Sequence, residues 1–241
     1  MLTSSFAEMH TTVDFISTDP HEPIVLVRET VHEIAVDLVG SLNQEDPAFY
    51  QDNHMLITDT SFDPVVHKKC GEIEVPRNSQ IEDDCNAAVR VAACECYKLG
   101  NKQLGQILEN SSKRKYWNGP ALMIYGEQGG MSAHTDNAEL DPTTLLPSRD
   151  GFLVTTNLGL TCHFSFETRK GHRATVAVPS GSVLIFDAVL TRHAIHTIVP
   201  GTCPIELTER CPALVRNRVS LICRQSLVVR QDMIDIETHA Q

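Results

Sequence analysis

The chain has 241 residues, of which 41% are hydrophobic and 21% charged, enough apolar material for one large domain with a buried core. This composition excludes a disordered protein, and no apolar run approaches the roughly 18 residues of a membrane-spanning helix. The formal net charge of −11 disfavours a generally basic nucleic-acid-binding surface. Since the N-terminus lacks a secretory pattern, we expect a cytoplasmic or nuclear protein without a membrane partner.

Helices are predicted in the N-terminal half, after a polar and irregular arm over residues 1–20. From Val27 to Leu42, apolar residues recur at steps of three and four, which is typical of an amphipathic helix. A second helix is predicted from Ser79, because Glu82 completes a capping-box spacing. The segment Leu104–Leu108 predicts a further helical turn that ends at residues 110–112.

Short β-rich runs separated by glycine and proline follow residue 115. They are Ala121–Tyr125, Phe152–Leu158, Cys162–Phe166, Thr175–Val178, Val183–Phe186, Ile195–Val199 and Val219–Cys223. Helices followed by closely spaced strands predict an α+β fold, a jelly-roll core buttressed by N-terminal helices. No linker or repeat divides the chain. We therefore predict a single domain over 21–241, with a helical, substrate-facing part (21–115) and a catalytic β core (about 116–228).

The tripeptide His134-Thr135-Asp136 is a candidate metal-binding motif. Residues two apart in a strand point to the same face, so His134 and Asp136 can bind one ion. With a second histidine they form a facial triad suited to non-haem iron(II), because three positions on the metal stay open. A later strand offers His193 and His196 for this role, and spacing alone does not choose between them. The alternative is that the tripeptide lies on the surface.

Two arginines, Arg218 and Arg224, share one face of the last predicted strand, with Ser220 between them. Guanidinium groups pair bidentately with carboxylates, and two of them inside an apolar barrel would be costly without an anion. A dicarboxylate such as 2-oxoglutarate is predicted as that anion. The alternative is a pair of surface arginines on an edge strand.

The stretch from Tyr125 to Arg224 resembles the AlkB family of iron(II)- and 2-oxoglutarate-dependent dioxygenases, which repair or edit alkylated nucleic acids. The resemblance rests on an ordered series of motifs. They are Tyr125 nine residues before His134, the H-x-D-x-x-E-x-D pattern from His134 to Asp141, Asn157–Leu160 close to S-L-G-L, Phe164 and Phe166, Gly181-Ser182-Val183, Arg192-x-x-x-His196, and Arg218-x-Ser220-x-x-x-Arg224 followed by Gln225.

The resemblance implies a double-stranded β-helix and selects His196 over His193 as the third metal ligand, beside His134 and Asp136. It further implies that Tyr125, Arg218 and Ser220 hold the distal carboxylate of 2-oxoglutarate and that Arg224 lies near the metal-side carboxylate. Asn137 and Glu139 are candidate substrate contacts, and Glu139 has a structural hydrogen bond as its alternative role. The chain departs from the family pattern at Met123, where an asparagine that contacts the cosubstrate usually stands.

The expected function is oxidative demethylation or hydroxylation of a methylated base in DNA or RNA, with iron(II), 2-oxoglutarate and O2. Two local basic clusters are candidate nucleic-acid contacts within the acidic chain, Lys113 to Lys115 and, separately, Arg169, Lys170, His172 and Arg173. The alternative, which the sequence favours, is that both are solvated loops. One alternative is the same chemistry on a protein side chain or a small molecule, which the net charge favours. Another is a non-catalytic binding module that retains the fold.

Overall fold

Two antiparallel β-sheets and the helices packed on one of them make up the part of the chain described by the structure, a computed structural model. It describes residues 11–28, 33–41, 55–57, 79–113, 117–135 and 152–225. The strands are β1 (Thr12–Ser17), β2 (Ile24–Arg28), β3 (Met55–Ile57), β4 (Trp117–Gly126), β5 (Met131–His134), β6 (Leu153–Gly159), β7 (Thr161–Glu167), β8 (Arg173–Val178), β9 (Ser182–Phe186), β10 (Arg192–Val199) and β11 (Asn217–Gln225). The helices are α1 (Glu33–Ser41), α2 (Ser79–Lys98), α3 (Lys102–Ser111) and α4 (Ile205–Arg210), and a 3₁₀ turn spans Pro212–Val215.

The larger sheet has seven strands in the order β1-β2-β9-β6-β11-β4-β3, and the smaller has four in the order β5-β10-β7-β8. Strands β6, β9 and β11 lie in the middle of the larger sheet, and β6 and β9 are buried along their whole length. The sequences of these strands are nearly continuous runs of apolar or small polar residues, because both faces of each strand are covered. A central strand such as β11 can therefore present different side chains to two separate interiors.

The outer face of the larger sheet packs against α1, α2 and α3. Apolar residues of these helices, such as Val89 and Leu108, form one cluster with alternate residues of the central strands, such as Val219 and Leu221. Helix α3 begins after Asn101, whose side chain accepts from the Leu104 amide at 3.2 Å, an N-cap that satisfies one of the free amides of the first turn. The helices thus buttress the sheet on the side away from its partner sheet.

The second apolar cluster lies between the two sheets and joins residues of both. Tyr125, Leu184 and Phe186 come from the larger sheet, and Phe164 and Ile195 from the smaller. Because side chains alternate along a strand, the residues between these positions point away from this interior. The α+β double-stranded β-helix predicted from the sequence is confirmed, with the intersheet space as the place where polar side chains can meet.

Three N-terminal elements differ from the predictions. The arm predicted to be irregular contains β1, which pairs with β2, and its first ten residues lie outside the described part of the chain. The helix predicted from Val27 corresponds to α1 (Glu33–Ser41), whereas residues 24–28 form β2 against β9. The apolar spacing that predicts the helix thus starts within the buried strand β2. A local sequence pattern does not predict that this strand pairs with β9.

Of the remaining predictions, the helix starting at Ser79 and the helical turn at 104–108 are confirmed as α2 and α3. All seven predicted strands are present; six are longer than predicted by one to five residues, and β6 keeps the predicted length but is shifted by one residue. No helix within the described ranges is long and apolar enough to cross a membrane.

Candidate metal and dicarboxylate site

His134 and His193 face each other at one end of the intersheet space. His134 is the last residue of β5, and it is paired directly with His193 of β10 in the antiparallel register. Their ring centroids are 4.5 Å apart, and His193 is only 4% exposed. The rings of Phe164 and Phe186, with centroids 5.8 and 4.9 Å from that of His193, fix its plane. Two imidazoles held this close can bind one metal ion.

Backbone carbonyls fix the tautomers of both histidines. Nδ1 of His134 lies 2.7 Å from the Ser132 carbonyl oxygen, and Nδ1 of His193 lies 3.1 Å from that of Thr191. A carbonyl oxygen only accepts, so Nδ1 is the protonated nitrogen in each ring. Nε2 then carries the lone pair, as a metal-ligating imidazole oriented by an outer carbonyl requires.

His196 lies elsewhere on β10. Its side chain is exposed, and it follows a register shift between Ile195 and Thr197 relative to β7. The shift places His196 and Thr197 toward solvent, whereas Ile195 and Ile198 belong to the inner cluster. The structure therefore brings His193, and not the predicted His196, to His134.

Three predicted site residues, Asp136, Asn137 and Glu139, lie outside the described part of the chain, as does Asp141 of the same motif. The described chain stops at Thr135, one residue beyond His134. Within these limits no group of three or more potential metal-binding side chains is found, and His134 and His193 are the two such residues that the strand register pairs directly.

Arg218 is the largest fully buried side chain of the described residues, with 0% exposure. It lies opposite Tyr125 of β4, and its Cζ atom is 5.1 Å from the centroid of that ring. One nitrogen, Nη2, donates to the Asn157 side chain, but Nε and Nη1 have no hydrogen-bond partner among the described residues. Burying a guanidinium without a counter-charge is costly, which marks this position as a place for an anion.

Neutral polar side chains surround the guanidinium. Oγ of Ser220 lies 3.4 Å from Nη2 of Arg218 and 2.5 Å from Oγ1 of Thr155. Burial raises the pKa of the Cys162 thiol, while the positive charge of Arg218 acts in the opposite direction. The predicted pair Arg218 and Ser220 is thus brought together, and Asn157, Thr155 and Cys162 are additions that the sequence analysis did not assign to the site.

Tyr125 lies against the Arg218 guanidinium, with only 1% of its surface exposed. Its hydroxyl lies 3.5 Å from Sδ of Met123 and 3.9 Å from Sδ of Met131. Thioethers are weak hydrogen-bond acceptors. Met123 therefore supplies a soft contact to Tyr125.

Arg224 lies at the histidine end of the same strand face. It pairs across the sheet with Leu153 of β6, which in turn pairs with Phe186 of β9, and Phe186 contacts His193. Its side chain is half-buried. Arg218 and Arg224 lie six residues apart on this face, about 20 Å of strand at roughly 3.3 Å per residue, so one small dicarboxylate could contact both only if their long side chains extend toward each other.

The loop that leads into His193 contains a buried acid, Asp187, which is 2% exposed. Its carboxylate accepts from the amides of Val189 and Leu190 at 2.9 and 3.0 Å, which forms the turn between β9 and β10. Burial raises the pKa of Asp187 to about 6, although those two amides favour the charged form.

A recess of about 340 Å³ opens beside the metal motif. Thr135, Leu190 and two exposed arginines, Arg169 and Arg192, are among the residues that line it. The second predicted basic cluster is partly neutralised, since Lys170 pairs with Asp19. The Arg173 guanidinium likewise pairs with Glu167 at 2.5 Å, and Arg192 lies 3.6 Å from the same carboxylate.

Known structures share this fold. The structure of OsALKBH1, an AlkB homologue, superposes with a TM-score of 0.58 at 19% identity, covering 88% of this chain and 100% of that one. A 2OG-Fe(II) oxygenase-family oxidoreductase from Burkholderia pseudomallei (TM-score 0.43, 13% identity, 83% of this chain and 82% of that one) and a Pseudomonas putida prolyl-4-hydroxylase (0.40, 12%, 83% and 90%) also match. No protein-family model and no curated protein sequence matches the chain. The similarity to OsALKBH1 shows the fold.

Proposed function

We propose that this protein is an iron(II)- and 2-oxoglutarate-dependent dioxygenase. The observation that carries the proposal is Arg218, a fully buried guanidinium with two nitrogens unpartnered among the described residues, in the same intersheet space as the histidine pair. A buried charge of this kind lowers the stability of the ligand-free protein unless an anion binds it. An anion held there that also reaches the metal carries one acidic group at each end, as 2-oxoglutarate does.

The metal ligands in this proposal are His134, His193 and Asp136. His193 replaces His196 in this proposal because its ring contacts that of His134. In both rings Nδ1 faces a backbone carbonyl oxygen, and Nε2 is the nitrogen proposed to bind the metal. Asp136 is included on the sequence alone, from its position two residues after His134. Bound iron would supply the activation of O2 and the oxidation of a substrate C–H bond.

The cosubstrate is proposed to lie along the inner face of β11. Arg218, Ser220 and the Tyr125 hydroxyl would donate to its distal carboxylate, and Arg224 would lie near the carboxylate at the metal end. The apolar side chains between these groups, such as Leu184 and Phe186, exclude water from the space. Exclusion of water strengthens each charge-assisted hydrogen bond to the ligand.

A methylated base in DNA or RNA is the proposed substrate, oxidised at its methyl group. Arg169 and Arg192 line the recess beside Thr135, where they can contact the phosphates of a strand whose base enters the site. Asn137 and Glu139 follow the metal motif and are proposed base contacts.

The net charge of −11 favours a second candidate, the same oxidation on a protein side chain or a small molecule. The third, a non-catalytic module, is disfavoured by Arg218. A chain that no longer bound a dicarboxylate would gain stability by replacing that buried charge.

Succinate release from 2-oxoglutarate tests the proposal. Wild type, His134→Ala and Arg218→Ala would each be supplied with iron(II), O2 and, in turn, methylated DNA, methylated RNA and methylated peptides. We expect at least about a 30-fold lower kcat/KM for 2-oxoglutarate in Arg218→Ala and no turnover in His134→Ala. Arg90→Ala, an exposed arginine of α2, is the matched control. Equal succinate release by all four proteins would contradict the proposal, and the substrate that raises the rate identifies the class.

A further inference from the structure

One residue of the Arg218 network, Asn157 of β6, binds the guanidinium without being a candidate ligand itself. We propose that Asn157 is a positioning residue, which holds Arg218 in the orientation that receives the distal carboxylate of the cosubstrate. This inference rests on the proposed function, and it concerns how the anion site is built.

The Asn157 amide has one orientation in the structure. Its Nδ2 donates to the Thr155 carbonyl oxygen at 3.0 Å and to the Ser182 carbonyl oxygen at 3.2 Å. Both partners are acceptors only, so the NH2 group must face them. Oδ1 therefore points the opposite way, toward β11, as a fixed acceptor. Asn157 is 1% exposed, so no water competes at this position.

Oδ1 accepts from Nη2 of Arg218, and Oγ of Ser220 lies 3.4 Å from the same oxygen. The contact fixes one arm of the planar guanidinium and with it the direction of the whole fork. Nε and Nη1 are left to donate to another acceptor. A flexible arginine would lose this orientation and would have to regain it on each binding event.

The choice of a neutral amide matters for the charge. A carboxylate at this position would neutralise Arg218 within the protein, and a second anion would gain little from binding there. An amide satisfies one N–H group and leaves the full positive charge for the ligand. Asn157 is thus suited to a site that must be oriented but not neutralised.

Comparing the binding of two oxo acids distinguishes this positioning role from a general structural role. Binding of 2-oxoglutarate and of 2-oxobutyrate, which lacks the distal carboxylate, would be measured by calorimetry on the anaerobic, Mn(II)-loaded protein. We expect wild type to favour 2-oxoglutarate by at least about 30-fold. In Asn157→Leu that ratio should fall at least about 10-fold, since a hydrogen bond to a charged group is lost, while 2-oxobutyrate binds as before. Thr156→Val, the next residue on the opposite face of β6, should keep the wild-type ratio.

The outcomes are distinct. A wild-type protein that binds both oxo acids equally would overturn the proposed role of Arg218, and the inference with it. A wild-type preference that survives in Asn157→Leu would overturn only the inference, as would an equal loss of both ligands in that variant. If Asn157→Leu does not fold, Asn157→Ser, which keeps a shorter polar group, should lower the ratio in the same direction.

Discussion

At the scale of single residues, the face of the strand on which a side chain lies decides what it can bind. The register shift in β10 turns His196 toward solvent and leaves His193 against His134. The two histidines are three positions apart in the sequence, and their surroundings differ completely. His193 is enclosed by aromatic rings, which hold its imidazole rigidly and keep water from it.

Metal affinity should therefore depend on His193 and not on His196. We expect His193→Ala to weaken Mn(II) or iron(II) binding by at least about 100-fold, since loss of an outer-shell partner alone costs 10- to 100-fold. His196→Ala, the matched control on the same strand, should bind metal as wild type does. Isothermal calorimetry on the two variants measures this, and the reverse order of affinities would restore His196 as the ligand.

Asp187 predicts a pH dependence of folding stability. Its pKa is about 6 in the folded protein against an ordinary value of 3.8, so the folded state retains a proton that the unfolded chain has lost between these values. Stability from this group therefore falls as pH rises from about 4 to 6, by up to about 3 kcal/mol. Asp187→Asn should match wild type near pH 4 and exceed it above pH 6. Urea unfolding at both pH values measures this, and a constant difference between the two proteins would argue against it.

Most of the residues proposed to hold the cosubstrate could be predicted from sequence because they follow a simple period. Arg218 and Ser220 are two apart on one strand, and the structure brings them together as predicted. Asn157 and Thr155 could not be predicted, because they reach Ser220 and Arg218 through the pairing of β6 with β11, more than 60 residues away along the chain. His193 was one of two candidates that the sequence offered, and the resemblance, which takes no account of the register shift in β10, selected His196.

At the scale of elements, the predicted strands are those with strong local patterns bounded by glycine or proline. Among the elements that were missed, β2 and β3 owe their conformation to partners distant in sequence, β9 for β2 and β4 for β3. Propensity is a weak guide for strands of this kind, because cross-strand packing decides their structure.

The β6–β7 turn depends on Gly159, whose φ is +86°. A Cβ atom there would clash with the Asn217 carbonyl oxygen of β11. We expect Gly159→Ala to lower the free energy of unfolding by about 2 kcal/mol or more, from the left-handed backbone together with this clash. Gly171→Ala is the matched control, since Gly171 has a φ of +79° but open space around it. Chemical denaturation should show the larger loss for Gly159→Ala, and equal losses would remove the clash from the explanation.

A side-chain bridge joins the end of α3 to the end of β11. Ser111 Oγ donates to Oε1 of Gln225 at 2.6 Å, and Nε2 of Gln225 donates to the Ser111 carbonyl oxygen at 2.7 Å. Both residues are buried, so Gln225→Ala should lower stability by about 1–3 kcal/mol by leaving these groups unsatisfied. A double-mutant cycle with Ser111→Ala measures the coupling, and strictly additive losses would show that the two residues act independently.

At the scale of the whole molecule, the buried charge of Arg218 lowers the folding stability of the ligand-free protein. Replacing Arg218 by methionine removes an uncompensated buried charge and keeps a similar volume. We expect Arg218→Met to match or exceed the wild-type melting temperature in the absence of ligand. Added 2-oxoglutarate should raise the melting temperature of wild type but not of the variant. A ligand-induced rise in both proteins would show that the anion binds elsewhere.

The alternation along β11 has a consequence for how this chain can vary. One face of the strand carries Val219, Leu221 and Cys223 into the helical layer, and the other carries Arg218, Ser220 and Arg224 into the intersheet space. A substitution at one position changes only the face on which that side chain lies. A single inserted or deleted residue would instead rotate the whole set, placing guanidinium groups among hydrocarbon side chains and valine at the anion site. This strand should therefore tolerate substitutions better than any change in its length. Differences in chain length are expected in the loops instead.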